Sequence, residues 1–546
     1  MTNAIKKAVD GAETFDPARP IKDRRVVRFR RKSELDGDLD TGCARLALND
    51  TGNGERFVAR FEADFFHVPS LGWHAWTGTH WSREEGERRA MVAAMQVSVA
   101  IHLECEAMRK AGPRPAKGEE GAENYIPAEP IAHFIKRQIA HKEWAVSSGN
   151  AARLKAMLEV AKNLLSRDVE ELDARPFLFN VANGTLELRA AKDGGIALRP
   201  HAREDLITHC SPVTFDEEAR CPIYDAFLEK VQPESAMRDF LMRLFGYALT
   251  GSTAEQVVAL FQGKGSNGKS TFMDVALHVL GDYGGVLPFE SLLHDDRRRG
   301  GEATPDLAEL PGKRLVHAAE PEQGARFSEA RIKSLSGGER IAARPLREAM
   351  FDFLPQFKLW LGFNNKPTVR GQDDGIWRRL MLIPWPVSIP KDERDPELGR
   401  KLRGDPAGRD QGELSGILNR ALAGLTDYFE HGLAQPETVA KATAAYRADM
   451  DPVGAFLDAA VVEQRGSDVP GKRLYEAYAG WCKRAGEEPI SVSAFGRILP
   501  DRGFEKLRAR TVTYKNIRLL DDFLAEQEAE RDEGRHKQAG ADGPEP

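Results

Sequence analysis

The run Gly263-Lys264-Gly265-Ser266-Asn267-Gly268-Lys269-Ser270 constrains this chain more than any other segment. It fits the pattern G-x-x-x-x-G-K-[ST]. The apolar run Val257 to Phe261 leads into it, and Thr271 to Leu280 follows with helical spacing. A strand, a glycine-rich turn and a helix are expected in that order. Backbone N–H groups of such a turn point inward and cradle phosphate oxygens, and the helix start adds its positive dipole end. Lys269 then reaches the β- and γ-phosphates, and the Ser270 hydroxyl is placed to ligate Mg²⁺. Gly263 through Thr271 are therefore the candidate nucleotide-binding residues. A bland glycine turn is the alternative, and the flanking strand and helix argue against it.

At 546 residues the chain is too long for one core, and about two to four domains are expected. Hydrophobic content of 41% and charged content of 30% suit a soluble globular protein. No apolar run is read as membrane-spanning, and the start of the chain lacks an apolar signal core. A cytosolic protein with no membrane partner is expected. Cys43, Cys105, Cys210, Cys221 and Cys482 are scattered, which suggests neither a zinc site nor a disulfide framework. The net charge of −6 argues against a generally basic coat. Locally, Arg331 to Arg379 holds ten basic and five acidic residues, 10 − 5 = +5, an excess suited either to phosphates or to a solvated face.

Along the chain, residues 1–40 read as polar and poorly ordered. Residues 41–254 read as strands followed by helices. Arg56 to Phe61 and Trp73 to Trp81 are the strand candidates, with Trp73, Trp76 and Trp81 as hairpin core. Glu84 to Lys110, Ala128 to Lys142 and Asn150 to Ser166 are the helices. Phe177 to Leu188 reads as a hairpin turning at Asn183-Gly184. Residues 255–450 hold the phosphate-binding region, 451–522 a small separate domain, and 523–546 a charged tail.

Hydrolysis needs an acid, a polar sensor of the γ-phosphate and usually an arginine. Arg314 to Glu320 reads as a buried strand that delivers Glu320 to a sheet edge. Glu322 is the second acid. Phe357 to Phe363 reads as another strand, ending in Asn364-Asn365. Asn364 is the chosen sensor, and Asn365 the alternative. Arg378 and Arg379 follow Trp377 as candidates for an arginine that reaches a neighbouring subunit. Their other reading is a salt bridge to Asp373 or Asp374. Between acid and sensor, Ile341 to Arg344 and Ala349 to Phe353 read as two strand arms with Arg347 near the tip. With Lys333 and Arg340, this basic hairpin is suited to gripping a sugar-phosphate backbone.

This ordered set resembles superfamily-3 helicases, in particular the phage and plasmid primase-helicases related to the poxvirus primase-helicase. Lys269, Glu320, Asn364 and Arg378 follow at spacings of 51, 44 and 14 residues (320 − 269, 364 − 320, 378 − 364). Asn183-Gly184-Thr-Leu-Glu-Leu, Cys221 to Leu228 and Phe245 to Gly251 resemble that family's helical domain. Leu474 to Trp481, Phe495 to Leu499 and Tyr514 to Leu519 resemble its terminal winged-helix module. The resemblance covers roughly residues 175–520. It implies an α/β fold: an AAA+-like P-loop ATPase core with a parallel central sheet, preceded by an α-rich domain and followed by a winged helix.

It further implies ATP and Mg²⁺ as cofactors and a hexameric ring on single-stranded and forked DNA. The setting would be phage, prophage or plasmid replication in a bacterial cytosol. Lys269, Ser270, Glu320, Asn364 and Arg378 or Arg379 would serve catalysis, with Ser270 and Glu320 at the metal. Lys333, Arg340, Arg344 and Arg347 would face DNA. Glu339 departs from the family, where aspartate is frequent. The first 170 residues show no clustered acids of a polymerase-like primase, since Asp38 and Asp40 are isolated. A separate primase or origin-binding protein is an expected partner. In the terminal module Arg497, Arg502, Lys506, Arg508, Arg510 and Lys515 read as a basic face. The rival readings are an initiator or assembly protein that binds ATP without unwinding, and a primase-helicase with cryptic priming.

Overall fold

The apolar runs that end at Phe261, Ala319 and Phe363 become neighbouring strands of one parallel sheet. The computed structural model describes residues 38–118, 120, 125–294, 303–319, 325–346, 350–405, 410–486, 488–508 and 510–520. These fall into two compact units, Asp38–Trp76 with Ser82–Asp168, and Thr77–Trp81 with Val169–Leu520. The division at Asp168 lies upstream of the sequence-based boundary at 254. The reason is packing, because residues from Leu178 onward share one buried core with the sheet.

In the larger unit β1 (Val258–Gln262), β2 (Gly284–Val286), β3 (Leu315–Ala319), β4 (Lys358–Phe363) and β5 (Leu380–Pro384) lie in the order β5-β1-β4-β3-β2. Every neighbouring pair is parallel. Parallel sheets need both faces covered, and β4 is buried at every residue. Helix α1 (Lys269–Leu280) follows β1 and turns Phe272, Met273, Val275, Ala276, Val279 and Leu280 into the core. Phe272 stacks on Trp360 of β4, with centroids 5.5 Å and planes 11° apart. Phe261 of β1 lies 5.2 Å from the same indole. Each such pair adds about 0.5–1.5 kcal/mol to the area it buries. The junction of β1 and α1 is therefore a rigid mount.

Two buried cations hold the opposite edge. The Arg314 guanidinium donates to Leu249 O at 2.5 Å and to Leu178 O, and lies 4.4 Å from the Tyr283 ring centroid. Lys358 Nζ donates to Thr250 O and to Gln356 O at 3.2 Å. Leu249 and Thr250 end helix Ser235–Leu249, whose last carbonyls attract positive charge. Burial, together with the charge of Arg314, holds the Lys358 ammonium well below the usual lysine range. Lys358 counts toward the local basic excess, yet it faces a protein interior.

The chain's last described segment builds a core of its own. Helices Pro452–Ala460, Gly471–Ala485 and Val492–Asp501 pack on an antiparallel sheet ordered Val461–Pro470, Val512–Leu519, Lys506–Arg508. Phe456, Tyr478, Phe495 and Tyr514 fill it. Near Phe177, strands Leu178–Val181 and Gly184–Glu187 pair with Val181 opposite Gly184. The turn is thus Ala182-Asn183, one residue earlier than the sequence suggests. The Asn183 amide is drawn off to Phe215, accepting its N–H at 2.9 Å and donating to its carbonyl at 2.9 Å.

The smaller unit corrects two expectations. Arg56 to Phe61 is no strand but the end of helix Asp50–Phe61, started by Asn49, whose side chain accepts Gly52 N–H at 2.8 Å. Phe57 and Val58 go into the core, and Arg56 is buried against Glu104 at 2.9 Å. That long-range ion pair leaves no trace in a local pattern. Second, helix Arg83–Ala111 contains an 18-residue window of mean hydropathy 1.2, long and apolar enough by composition to cross a membrane. One face of it buries Ala90, Ala94, Val97 and Ile101, with Glu104 ion-paired among them, as a core helix does. Trp73 and Trp76 are buried, as the hairpin-core reading expects.

Candidate nucleotide site

The site forms where β1 gives way to α1. Gly265, Ser266 and Gly268 take φ of +95°, +50° and +79°. A methyl group at Gly263 would fall 1.9 Å from Asn267 Nδ2, and one at Gly268 would fall 2.7 Å from Val231 and 2.8 Å from Phe227. At Gly263 and Gly268 the path leaves no room for a side chain, so glycine is required there. Ser266 pays a strain of order 1–3 kcal/mol for its left-handed backbone. Its carbonyl is held by Ile389 N–H at 2.8 Å. Gly268 caps α1, so the amides of Ser270 and Thr271 lack intrahelical partners. Lys264, Ser266 and Ser270 are exposed at this mouth.

Lys269 is 4% exposed. Its Nζ donates to Phe363 O at 2.7 Å and to Asn364 Oδ1 at 3.2 Å. The pairing register explains the meeting: Phe363 lies beside Gln262, and Gly362 beside Ala319. The C-terminal ends of β1, β3 and β4 therefore converge on one edge. Asn364, the chosen amide, touches Lys269; Asn365 is exposed and makes no such bond among the described residues. Glu320 and Glu322 lie outside the described residues, as does Arg347. Ala319 is the last described residue of β3.

One residue at this edge has no sequence signal. His317 lies on β3, and its Nε2 is buried without a hydrogen-bond partner among the described residues. Burial pulls the imidazole below its usual pKa; Asp274 opposes this and Lys269 adds to it. A single histidine in an apolar strand reads as ordinary core.

The paired arginines separate. Arg379 is 9% exposed and donates to Gly375 O at 2.6 Å. Arg378 is exposed and makes no ion pair among the described residues. Neither bridges to Asp373 or Asp374, which corrects that alternative. Asp373 is taken by Lys333 at 2.8 Å, whose ammonium holds the carboxyl below its usual range. Asp374 is taken by Arg447 at 2.8 Å.

The basic hairpin forms, with Ile341 opposite Phe353 and Ala343 opposite Phe351. Ile341, Ala343, Phe351 and Phe353 are buried, so Ala342, Arg344 and Asp352 face outward. Arg344 N–H donates to Thr304 Oγ1 at 2.9 Å. Arg340 is tied to Glu170 at 2.5 Å. In the terminal module Arg502 is clamped by Asp451, Lys506 donates to Gly496 O, and Lys515 pairs with Asp468. Arg497, Arg508 and Arg510 remain exposed.

Two family models match the chain. The model described as D5 N terminal like matches residues 54–233, and the one described as Poxvirus D5 protein-like matches residues 448–529. Three curated relatives illustrate the rest. A protein named as a putative helicase in Acanthamoeba polyphaga mimivirus is 28% identical over 58% of this chain and 34% of its own length. One so named in Invertebrate iridescent virus 6 is 21% identical over 62% of this chain and 38% of its own. A protein named as a putative primase in African swine fever virus is 24% identical over 57% of this chain and 34% of its own. This chain thus spans about a third of the length of these relatives. They come from large DNA viruses and give no support to a phage setting. The solved C-terminal region of NrS-1 covers 56% of this chain and 78% of its own, at 13% identity and a TM-score of 0.35.

Proposed function

We propose that this chain is an ATP-dependent DNA helicase of viral-type replication, moving on single-stranded DNA as a ring; its matches to the D5 N terminal like and Poxvirus D5 protein-like models support the reading. The observation that carries this reading is the contact of Lys269 Nζ with Asn364 beneath a loop of left-handed glycines. It supports an AAA+-like P-loop site at the carboxyl edge of a parallel sheet, where ligands of open α/β folds bind.

The residues present fit ATP with Mg²⁺. The exposed mouth at Lys264, Ser266 and Ser270 leaves the triphosphate an open approach. Backbone N–H groups from Gly265 to Thr271 would take the β- and γ-phosphate oxygens, and Lys269 would exchange its bond to Phe363 O for one to phosphate. Ser270 and Glu320 would hold Mg²⁺, which when bound neutralises charge on the phosphate oxygens. Glu320 would orient the attacking water, and Asn364 would hold the γ-phosphate. Arg378 would reach the site of the next copy in the ring, because it is exposed and makes no ion pair among the described residues, while Arg379 is buried.

Arg344 and Arg347 would grip the backbone of single-stranded DNA from the hairpin. Lys333 and Arg340 would have to leave Asp373 and Glu170 to join them. The terminal module is read as a winged helix, with Arg497 on helix Val492–Asp501 and Arg508 and Arg510 at the strand tip as exposed cations. A hexamer is the proposed ring, with a separate primase or origin-binding protein as partner.

Forked-DNA unwinding tests the reading. Strand separation is expected with ATP and Mg²⁺, and not with a nonhydrolysable analogue. Analogue-supported binding and assembly without any strand separation under ATP would instead favour the initiator class. Primer synthesis on a single-stranded template would revive the primase reading.

A further inference from the structure

The turn that carries Arg378 is held from outside the sheet. Asp374–Trp377 forms one helical turn, and Arg378 caps its end. Arg447, on helix Glu437–Asp449, donates through Nη2 to Asp374 Oδ1 and to Gln372 O, both at 2.8 Å. One residue earlier, the fully buried Tyr446 donates its hydroxyl to Pro367 O and meets Trp377 edge-on, centroids 5.4 Å apart. Both ends of the turn are therefore gripped by two consecutive residues of one helix. The same segment then continues into the terminal module. Met450 O accepts Gln372 Nε2 at 2.7 Å. Asp451 caps helix Pro452–Ala460 through Gly454 N–H at 2.9 Å. Both its carboxylate oxygens accept from Arg502 Nη2 at 2.6 Å, and Arg502 caps helix Val492–Asp501.

Magnitudes decide what these contacts are for. The Arg447 and Asp374 side chains are 42% and 88% exposed. A pair so exposed contributes about 0–1 kcal/mol to stability. One Arg447 nitrogen, Nη2, however, holds a carboxylate and a carbonyl at once, which sets geometry. Positioning is far more consequential for an arginine that meets a transferring phosphoryl group, since a misplacement of about 1 Å can cost about a hundredfold in rate.

We propose that helix Glu437–Asp449 is a strut through which the terminal module sets the position of Arg378, with Tyr446 and Arg447 as positioning residues for turnover. This rests on the reading of Arg378 as the arginine supplied to a neighbouring copy. The strut couples two things the sequence leaves separate: the state of the terminal module, reported at Arg502, and the competence of the nucleotide site.

The test begins with wild-type ATP turnover on single-stranded DNA; its absence would sink the helicase reading itself. With turnover present, Arg447→Ala is expected to lower kcat about tenfold or more while leaving the KM for ATP within about threefold. Arg447→Lys should recover only part of the loss, keeping the charge but placing it on a flexible stem without the rigid, planar guanidinium. Arg447→Ala should then complement Lys269→Ala. Lys269→Ala alone is inactive and Arg447→Ala alone keeps about a tenth of the rate or less, but a one-to-one mixture regains about a quarter of the wild-type rate, the fraction of head-to-tail junctions that join an intact loop to a well-held Arg378. Arg502→Ala should lower kcat severalfold at unchanged KM. Wild-type kcat in Arg447→Ala, or a mixture no better than its parts, would overturn the positioning role. Unchanged kcat in Arg502→Ala would overturn the link to the terminal module.

Discussion

Lys269→Ala is expected to abolish ATP turnover, by about a thousandfold or more, in a protein that still folds. The side chain sits between two strand ends, with its ammonium on Phe363 O and Asn364 Oδ1. Truncation leaves the buried Phe363 carbonyl with only the Gly263 N–H at 3.3 Å, a loss of about 1–3 kcal/mol. Turnover loses far more, because the same ammonium is the charge nearest the expected phosphates. Steady-state hydrolysis alongside thermal unfolding separates the two effects. A mutant that unfolds early yet hydrolyses normally per folded molecule would mean that Lys269 is only a strut between β1 and β4.

Arg378→Ala and Arg379→Ala are expected to fail in opposite ways. Arg378 is exposed, so its loss should change stability by less than about 0.5 kcal/mol. Loss of an arginine supplied to the neighbouring site should cost about 10³–10⁵ in kcat with nucleotide still bound. Arg379 is internal, and removing it strips Gly375 O of its partner. That change should cost about 1–3 kcal/mol of stability and affect turnover mainly through folding. Nucleotide binding, hydrolysis and melting measured on both variants distinguish the roles. A stable Arg379→Ala protein without turnover, beside an active Arg378→Ala, would reverse the assignment.

The legible parts of the structure were those with local causes. The glycine loop, the strand before it and the helix after it follow from a dozen consecutive residues, and they appear as β1, the left-handed turn and α1. The hairpin at Ile341 and Phe353 was equally legible, because its alternation is confined to each arm. Long-range pairing hid the rest. Arg56 reads as a strand residue until its partner Glu104, 48 positions away, is known. Nothing local marks Lys358 and Arg314 as paired buried cations, although carbonyls at the helix end, Leu249 and Thr250, draw them indoors. Arg378 and Arg379 are chemically equal in sequence, and only the fold makes one internal. The grip of Arg447 on Asp374 joins residues 73 apart and has no motif at all.

The most direct measurement of the central claim is specific ATP turnover against protein concentration on single-stranded DNA. A site completed by a neighbour's Arg378 predicts turnover per copy that rises with concentration as copies assemble. It also predicts turnover that falls more steeply than simple dilution when inactive Arg378→Ala protein is mixed in. Turnover that is constant per copy at every concentration, or absent throughout, would contradict the account.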